Sequence, residues 1–340
     1  MDNKKKVGVL GAGSWGTAAA IHLQKKGHEI KLWEYYEENV NMMNKTGKNP
    51  LLPGIAIPDS INITGDLDDA LDSVDLVIVV VPSHAVRELL EKVQDKIDSS
   101  TIIINLAKGL EKETMMRMSE VIQDVLNHPG EKIVTLHGPS HAEEVAREIP
   151  TAVVSASKSL ESAEKVQQLF ISENFRVYTN PDIIGVEIGG AVKNVIAIAS
   201  GICDGLGLGD NSRAALITRG LMEITRLGVK LGAKEETFSG LSGVGDLLVT
   251  CDSEHSRNRH LGEEIGKGRK VQEILDGMTM VAEGVKTCET VKQLSTENDV
   301  LMPISNQVYK ILYEDKDPAQ GLKDLMTRQP VRERHSIPGE

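Results

Sequence analysis

The sequence predicts an α/β protein: a doubly wound, mostly parallel sheet in the N-terminal half, followed by an all-α C-terminal domain. Three observations predict it. Strand-like and helix-like segments alternate through the first half, as they do in βαβ units. Several strands are near-continuous runs of β-branched and aliphatic residues, such as residues 75–81 (DLVIVVV) and 101–106 (TIIINL), and such runs belong to strands buried on both faces. Beyond Asn180-Pro181-Asp182 the strand-like runs largely vanish and helical spacing takes over.

The elements follow in order. Residues 6–10 form a short apolar strand, and a helix follows over 17–23. Between them stands Gly11-Ala12-Gly13-Ser14-Trp15-Gly16, a G-x-G-x-x-G motif in its proper context. Gly11 allows the tight turn, Gly13 lets backbone approach a pyrophosphate, and Gly16 lets the helix pack on the strand. The pyrophosphate would rest on the helix N-terminus, where unpaired N–H groups and the helix dipole favour an anion. A second strand, residues 28–33, ends at Glu34, where an acid would accept hydrogen bonds from a ribose 2′-hydroxyl and repel a 2′-phosphate. This is a Rossmann-type dinucleotide site with NAD(H) favoured over NADP(H). Strand 75–81 leads through Pro82-Ser83 to an amphipathic helix over 85–97. Strand 101–106 ends at Lys108-Gly109 and precedes a helix over 115–126; strand 132–136 ends at Gly138-Pro139-Ser140. Residues 152–155 and 175–178 read as later strands with a helix between them. Helical segments then cover 186–200, 212–231, 256–266 and 285–295, so the expected domains are 1–185 and 186–340, with a loose polar tail from about residue 328.

Bulk properties narrow the function. A chain of 340 residues favours two domains, and 40% hydrophobic residues with only 3% aromatics imply an aliphatic core. A net charge of −12 argues against a nucleic-acid or anionic-membrane binder but leaves room for one small basic pocket. Cys203, Cys251 and Cys288 are far apart and odd in number, which speaks against a disulfide framework or a structural zinc site and fits a reducing cytoplasm. The N-terminus does not read as a signal peptide, and no apolar run is expected to be long enough to span a bilayer. His137 and His141 are separated by Gly138-Pro139, and His255 and His260 lack a third ligand, so no metal is expected. No G-x-S-x-G elbow is present.

The candidate chemistry gathers where the strands end, which is where open parallel sheets bind ligands. From position alone, Lys108 reads equally as a solvated loop lysine. In Glu187-Ile188-Gly189-Gly190-Ala191-Val192-Lys193-Asn194, apolar residues surround Lys193 on most of the helical wheel. That favours a partly buried amine suited to proton transfer. Asp246, between glycines and leucines in Gly243-Val244-Gly245-Asp246-Leu247, would cap a helix, hold a substrate hydroxyl or orient Lys193. Ser256-Arg257-Asn258-Arg259 opens a helix with a hydroxyl, a guanidinium and free N–H groups, a set that suits a phosphate and that also occurs as a basic surface turn.

Taken in order, these motifs, together with Leu52-Pro53-Gly54, Val81-Pro82-Ser83 and Val281-Ala282-Glu283-Gly284-Val285, resemble the bacterial NAD(P)-dependent glycerol-3-phosphate dehydrogenases from about Val7 to Met326. The resemblance implies the reversible conversion of dihydroxyacetone phosphate to sn-glycerol-3-phosphate for glycerophospholipid synthesis. It implies that Lys193 transfers the proton and that Lys108, Gly138, Ser140, Lys193, Asp246, Ser256, Arg257 and Asn258 bind substrate. Ser14, Trp15, Lys108, Ala142, Arg257, Val281 and Glu283 match positions lining the cofactor. Two departures stand out: Ala107 where serine is common, and His141 where an aromatic is frequent. A cytoplasmic homodimer is the expected setting. The competing readings are another two-domain dehydrogenase of a hydroxy acid or sugar phosphate, and a non-catalytic NAD-binding module.

Overall fold

The structure, a computed structural model, describes residues 4–278, 282–330 and 332–333. Most of the tail from 328 and Val281 therefore lie outside the described residues. The chain forms two compact units, Met1–Glu187 and Ile188–Glu340.

Unit 1 holds eight strands: β1 (Lys6–Leu10), β2 (Glu29–Trp33), β3 (Asn62–Thr64), β4 (Leu76–Val79), β5 (Ile102–Asn105), β6 (Ile133–His137), β7 (Thr151–Ala156) and β8 (Phe175–Asn180). They form one sheet in the order β3-β2-β1-β4-β5-β6-β7-β8. Every pairing is parallel except β6 with β7, so the mostly parallel, doubly wound arrangement is present. Its helices are α1 (Ser14–Lys25), α2 (Glu37–Thr46), α3 (Leu67–Leu71), α4 (Val86–Glu91), α5 (Met118–Leu126), α6 (Ala142–Ala146) and α7 (Leu160–Phe170).

Strands β4 (LVIV) and β5 (IIIN), in the middle of the sheet, are fully buried and almost wholly apolar because both of their faces are covered. Val7, Val9, Ile78, Ile102, Ile104 and Val134 enter one core with Ala18, Ala19, Ala20, Ile21 and Leu23 of α1 and Val166 and Phe170 of α7. Their strand neighbours Leu10, Val77, Val79, Ile103 and Ile133 enter the other, with Leu89 and Leu90 of α4 and Val121 and Ile122 of α5. This is the two-residue alternation of a strand expressed as two cores instead of a wet and a dry face.

Five local readings change, among them the helix expected from residue 115, which starts at Met118. The first helix starts at Ser14, not at 17, so Gly16 lies inside it. The helix expected over 85–97 ends at Glu91; Val93 N–H then bonds Leu90 O and Lys96 N–H bonds Val93 O, a tighter i→i−3 pattern. Val93 stays fully buried through that turn, which is why the apolar spacing looked unbroken. Elements β3 and α2 carried no sequence signal, the one being three residues long and the other burying only Val40 and Met43.

The last change concerns α8 (Ile183–Gly205), which begins in unit 1 and continues into unit 2. At 23 residues it is long and apolar enough to cross a membrane by length and composition, contrary to expectation, but it is buried in protein. The rest of unit 2 comprises α9 (Asp210–Lys230), α10 (Asp246–Asp252), α11 (Arg257–Gly266), α12 (Val271–Asp276), α13 (Glu283–Glu297), α14 (Pro303–Tyr313) and α15 (Pro318–Met326). Helices α8 and α11 touch backbone to backbone through two glycine pairs. A Cβ on Gly201 would lie 1.9 Å from Arg259 O, and one on Gly262 would lie 2.0 Å from Ile198 O; Gly205 and Gly266 repeat the pattern one turn on. The apolarity of α8 is thus that of a core helix.

Candidate active site

In unit 1 the glycine-rich turn has the geometry its motif calls for. Gly11 has φ +124° and donates its N–H to Trp33 O, tying the turn to the end of β2. A Cβ on Gly16 would lie 1.9 Å from Gly11 O, so only glycine lets α1 start against the strand. A Cβ on Gly13 would meet nothing within 4 Å. Gly13 is therefore not required by protein packing. Its backbone, together with the N–H groups of Ser14 and Trp15 at the start of α1, forms an open cradle that fits a pyrophosphate. The indole N–H of Trp15 is buried with no hydrogen-bond partner among the described residues. Glu34 sits just past β2, nearly buried, and its Oε1 accepts from Tyr36 N–H and the Asn39 amide, which fixes the carboxylate beside the turn. Ala142 is the first residue of α6 and belongs to the apolar cluster against which Trp15 packs.

At the neighbouring strand ends, Gly138 has φ +150°, a backbone shape that favours glycine. Its carbonyl accepts from Lys108 Nζ at 3.1 Å and from Ser140 Oγ at 3.0 Å. Lys108, Gly138 and Ser140 are brought together by this one carbonyl.

Unit 2 builds a second cluster. Lys193 on α8 is not partly but almost wholly buried, at 4% exposure, and Asp246 is buried at 1%. Lys193 Nζ donates to Asp246 Oδ1 and, at 2.6 Å, to Thr250 Oγ1. Asp246 is the first residue of α10, one position past the N-cap Gly245, and its carboxylate meets the lysine. A π turn over Leu241–Gly245 precedes it, a local form frequent at functional sites. Close approach is again a matter of glycine: a Cβ on Gly189 would lie 2.5 Å from Ser242 O. Thr250 was missed in the sequence, although its spacing from Asp246 puts both on one helix face.

The Ser256 cluster is more structural than its composition suggested. Ser256 is the N-cap of α11, accepting from Arg259 N–H. Asn258 donates to Asn194 Oδ1 at 3.0 Å and accepts from Gly284 N–H at 2.9 Å, linking α11 to α8 and α13. Arg257 is exposed on the first turn of α11, and Glu283 is the first residue of α13.

Comparison with known proteins decides the family. The model for the N-terminus of NAD-dependent glycerol-3-phosphate dehydrogenase matches residues 6–163, and the model for its C-terminus matches residues 182–323. The chain belongs to this dehydrogenase family. It is 51% identical over 332 residues to glycerol-3-phosphate dehydrogenase (NAD(P)+) of Thermoanaerobacter sp. (strain X514), covering 98% of this chain and 100% of that protein. It is 52% identical to the protein of the same name from Chlorobium phaeobacteroides (strain BS1), covering 96% and 99%. The crystal structure of glycerol-3-phosphate dehydrogenase from Coxiella burnetii superposes with a TM-score of 0.92 at 40% identity, covering 96% of this chain and 99% of that one.

Membership makes the chain an NAD(P)-dependent oxidoreductase and sets aside the reading of a binding module without catalysis. Two of the three thiols are poorly suited to nucleophilic chemistry. Burial pushes the Cys203 thiol up to about 11 and that of Cys251 up to about 12, so both stay protonated at neutral pH. Among the described residues, no group of three or more His, Cys, Asp or Glu side chains comes together to hold a metal.

Proposed function

We propose that this dehydrogenase interconverts dihydroxyacetone phosphate and sn-glycerol-3-phosphate, supplying the latter for glycerophospholipid synthesis, and that it prefers NAD(H) to NADP(H). Lys193 carries the reading: a lysine buried against Asp246 and Thr250 inside an apolar helix is poorly explained by a surface role.

When bound, the nicotinamide supplies a hydride to the substrate's C2 carbonyl or takes one back. Gly11, Gly13, Gly16, Ser14 and Trp15 would hold the pyrophosphate, and the family resemblance assigns Lys108, Ala142, Arg257, Val281 and Glu283 to the rest of the cofactor. During reduction, negative charge grows on the C2 oxygen. Lys193 stabilises it and donates the proton, and in oxidation the free amine takes the proton back. Asp246 keeps the ammonium in one place, so little reorganisation is needed as the charge develops. Lys108 would polarise a substrate oxygen, with Gly138 and Ser140 shaping the turn around the lysine. Arg257 and the start of α11, with Ser256 and Asn258 behind them, anchor the phosphate and hold the carbonyl in register.

The cofactor preference rests on Glu34. A carboxylate held at the end of β2 accepts from a ribose 2′-hydroxyl and repels a 2′-phosphate. The three thiols are buried and unpaired with one another, which suits a reducing compartment, and we assign the enzyme to the cytoplasm.

The deciding assay mixes enzyme, NADH and dihydroxyacetone phosphate and follows the nicotinamide absorbance. Rapid oxidation of NADH is expected. NADH that binds but is not consumed would refute the substrate assignment. The same assay run with NADPH should give the lower kcat/KM; the reverse order would refute the role of Glu34.

A further inference from the structure

His137 is a buried titratable residue that the reaction as described does not use. It is the last residue of β6, and its 1% exposure leaves it no solvent role. Its Nε2 lies 3.2 Å from Ala107 O, in the turn after β5, and its Nδ1 lies 3.3 Å from Val186 O. The next residue, Gly138, offers its carbonyl to Lys108 Nζ at 3.1 Å. The two strand ends therefore hold each other reciprocally: the ring after Leu136 holds the residue before Lys108, and the lysine holds the residue after the ring.

The consequence follows from the planarity of the peptide. Ala107 C=O, Lys108 N–H and the Lys108 Cα share one rigid plane, so fixing the oxygen fixes the point on the backbone from which the Lys108 side chain starts. The Asn105 amide also donates to that carbonyl, at 3.3 Å, and its oxygen accepts from Ala107 N–H at 3.0 Å, bracing the peptides on both sides of Ala107. The lysine is thus held at its root by His137 and at its tip by Gly138. We propose that His137 is a positioning residue that sets where the Lys108 ammonium meets the substrate oxygen. The inference rests on the reading of Lys108 as the polarising group. It requires a proton on Nε2, which both the Nε2–H tautomer and the doubly protonated ring provide.

Four variants test it: H137L, H137Q, K108A and the double variant H137L/K108A. H137L removes the donor, whereas H137Q returns an amide N–H near the place of Nε2. H137L should lower kcat about 10-fold, since misplacing a reacting group by an ångström costs up to ~10²-fold. The Kd for NADH, read by nicotinamide fluorescence, should change by less than kcat does, because the glycine-rich turn lies outside the clasp and Lys108 is only one of the residues given to the cofactor. H137Q should restore most of the turnover, and the double variant should be no slower than K108A. Multiplied losses in the double variant, or H137Q as slow as H137L at equal stability, would overturn the role of His137 alone. A K108A enzyme with full turnover would instead overturn the reading of Lys108 beneath it. If H137L does not fold, H137N replaces it: its amide takes the place of Nδ1, so H137N should be slow where H137Q is active, and the opposite order sinks the proposal. Nitrogen NMR of the histidine ring gives a check independent of turnover, a neutral Nδ1–H tautomer being the refuting result.

Discussion

The surroundings of Lys108 and Lys193, the two lysines to which the proposed function gives a role, differ in kind. Lys193 lies inside unit 2, sealed from water, against a carboxylate and a hydroxyl. Lys108 lies half-buried at a strand end of unit 1, against a neutral backbone carbonyl. A buried charge needs a counter-charge, because removing either ion from water costs several kcal/mol, roughly, after relaxation. A half-exposed ammonium keeps part of its hydration and needs only a good acceptor. The contrast separates a lysine whose position is built into the core from one whose position depends on a turn.

The largest expected effect is at Lys193. Lys193→Ala should lower kcat by roughly 10²-fold or more. It should also destabilise the protein by about 3–5 kcal/mol, because Asp246 is left buried without its partner. Denaturant melts and turnover measured on the same preparation check both. The double variant K193M/D246L sharpens the point. Replacing the pair by apolar side chains should recover much of the stability and none of the turnover. If the single variant kept normal turnover, the catalytic assignment would fall; if it were inactive yet fully stable, the ion pair would not be the structural element described above.

Lys108→Ala should fall between. We expect kcat/KM for dihydroxyacetone phosphate to drop about 10-fold or more, as for the loss of one polarising donor. Stability should change by no more than about 1 kcal/mol, the size of a part-exposed hydrogen bond. A melting shift as large as that of Lys193→Ala would erase the distinction between the two lysines.

How much of this the sequence could tell depended on whether the signal was local. The β1 turn and α1 were legible because Gly11, Gly13 and Gly16 act within a few residues of one another, and Gly13 stands out by having open space where a side chain would go. The apolar wheel around Lys193 was legible too, but not the depth of its burial, since that depends on Asp246, 53 positions away in the chain. The glycines of α8 and α11 were not legible. Gly201 and Gly262 are close-packed against backbone, and in a one-dimensional reading the helix they serve offers no clue to what surrounds it. Ser256 and Asn258 looked like ligands for a phosphate because hydroxyls and amides serve equally as caps and cross-links, and only the partners Arg259, Asn194 and Gly284 show the structural share of their work. Elements β3 and α2 bury too little to leave a pattern at all.

The smallest effect, and the finest probe of the comparison, is at Thr250. Its hydroxyl accepts from Lys193 and donates to Asp246 O at 2.6 Å, one helical turn back. Thr250→Val keeps the β-branched shape and removes both bonds. The carboxylate stays, so the charge of Lys193 remains compensated, and the loss should be that of ordinary hydrogen bonds, about 1 kcal/mol. Turnover should fall only a few-fold, about 3-fold, because the ammonium keeps its strongest partner but loses one of the two contacts that fix its direction. Steady-state kinetics on Thr250→Val and Thr250→Ser would resolve this, with serine expected to restore the hydroxyl and most of the rate. A Thr250→Val loss approaching that of Lys193→Ala would mean that the hydroxyl, and not Asp246, is the partner that holds the proton donor in place.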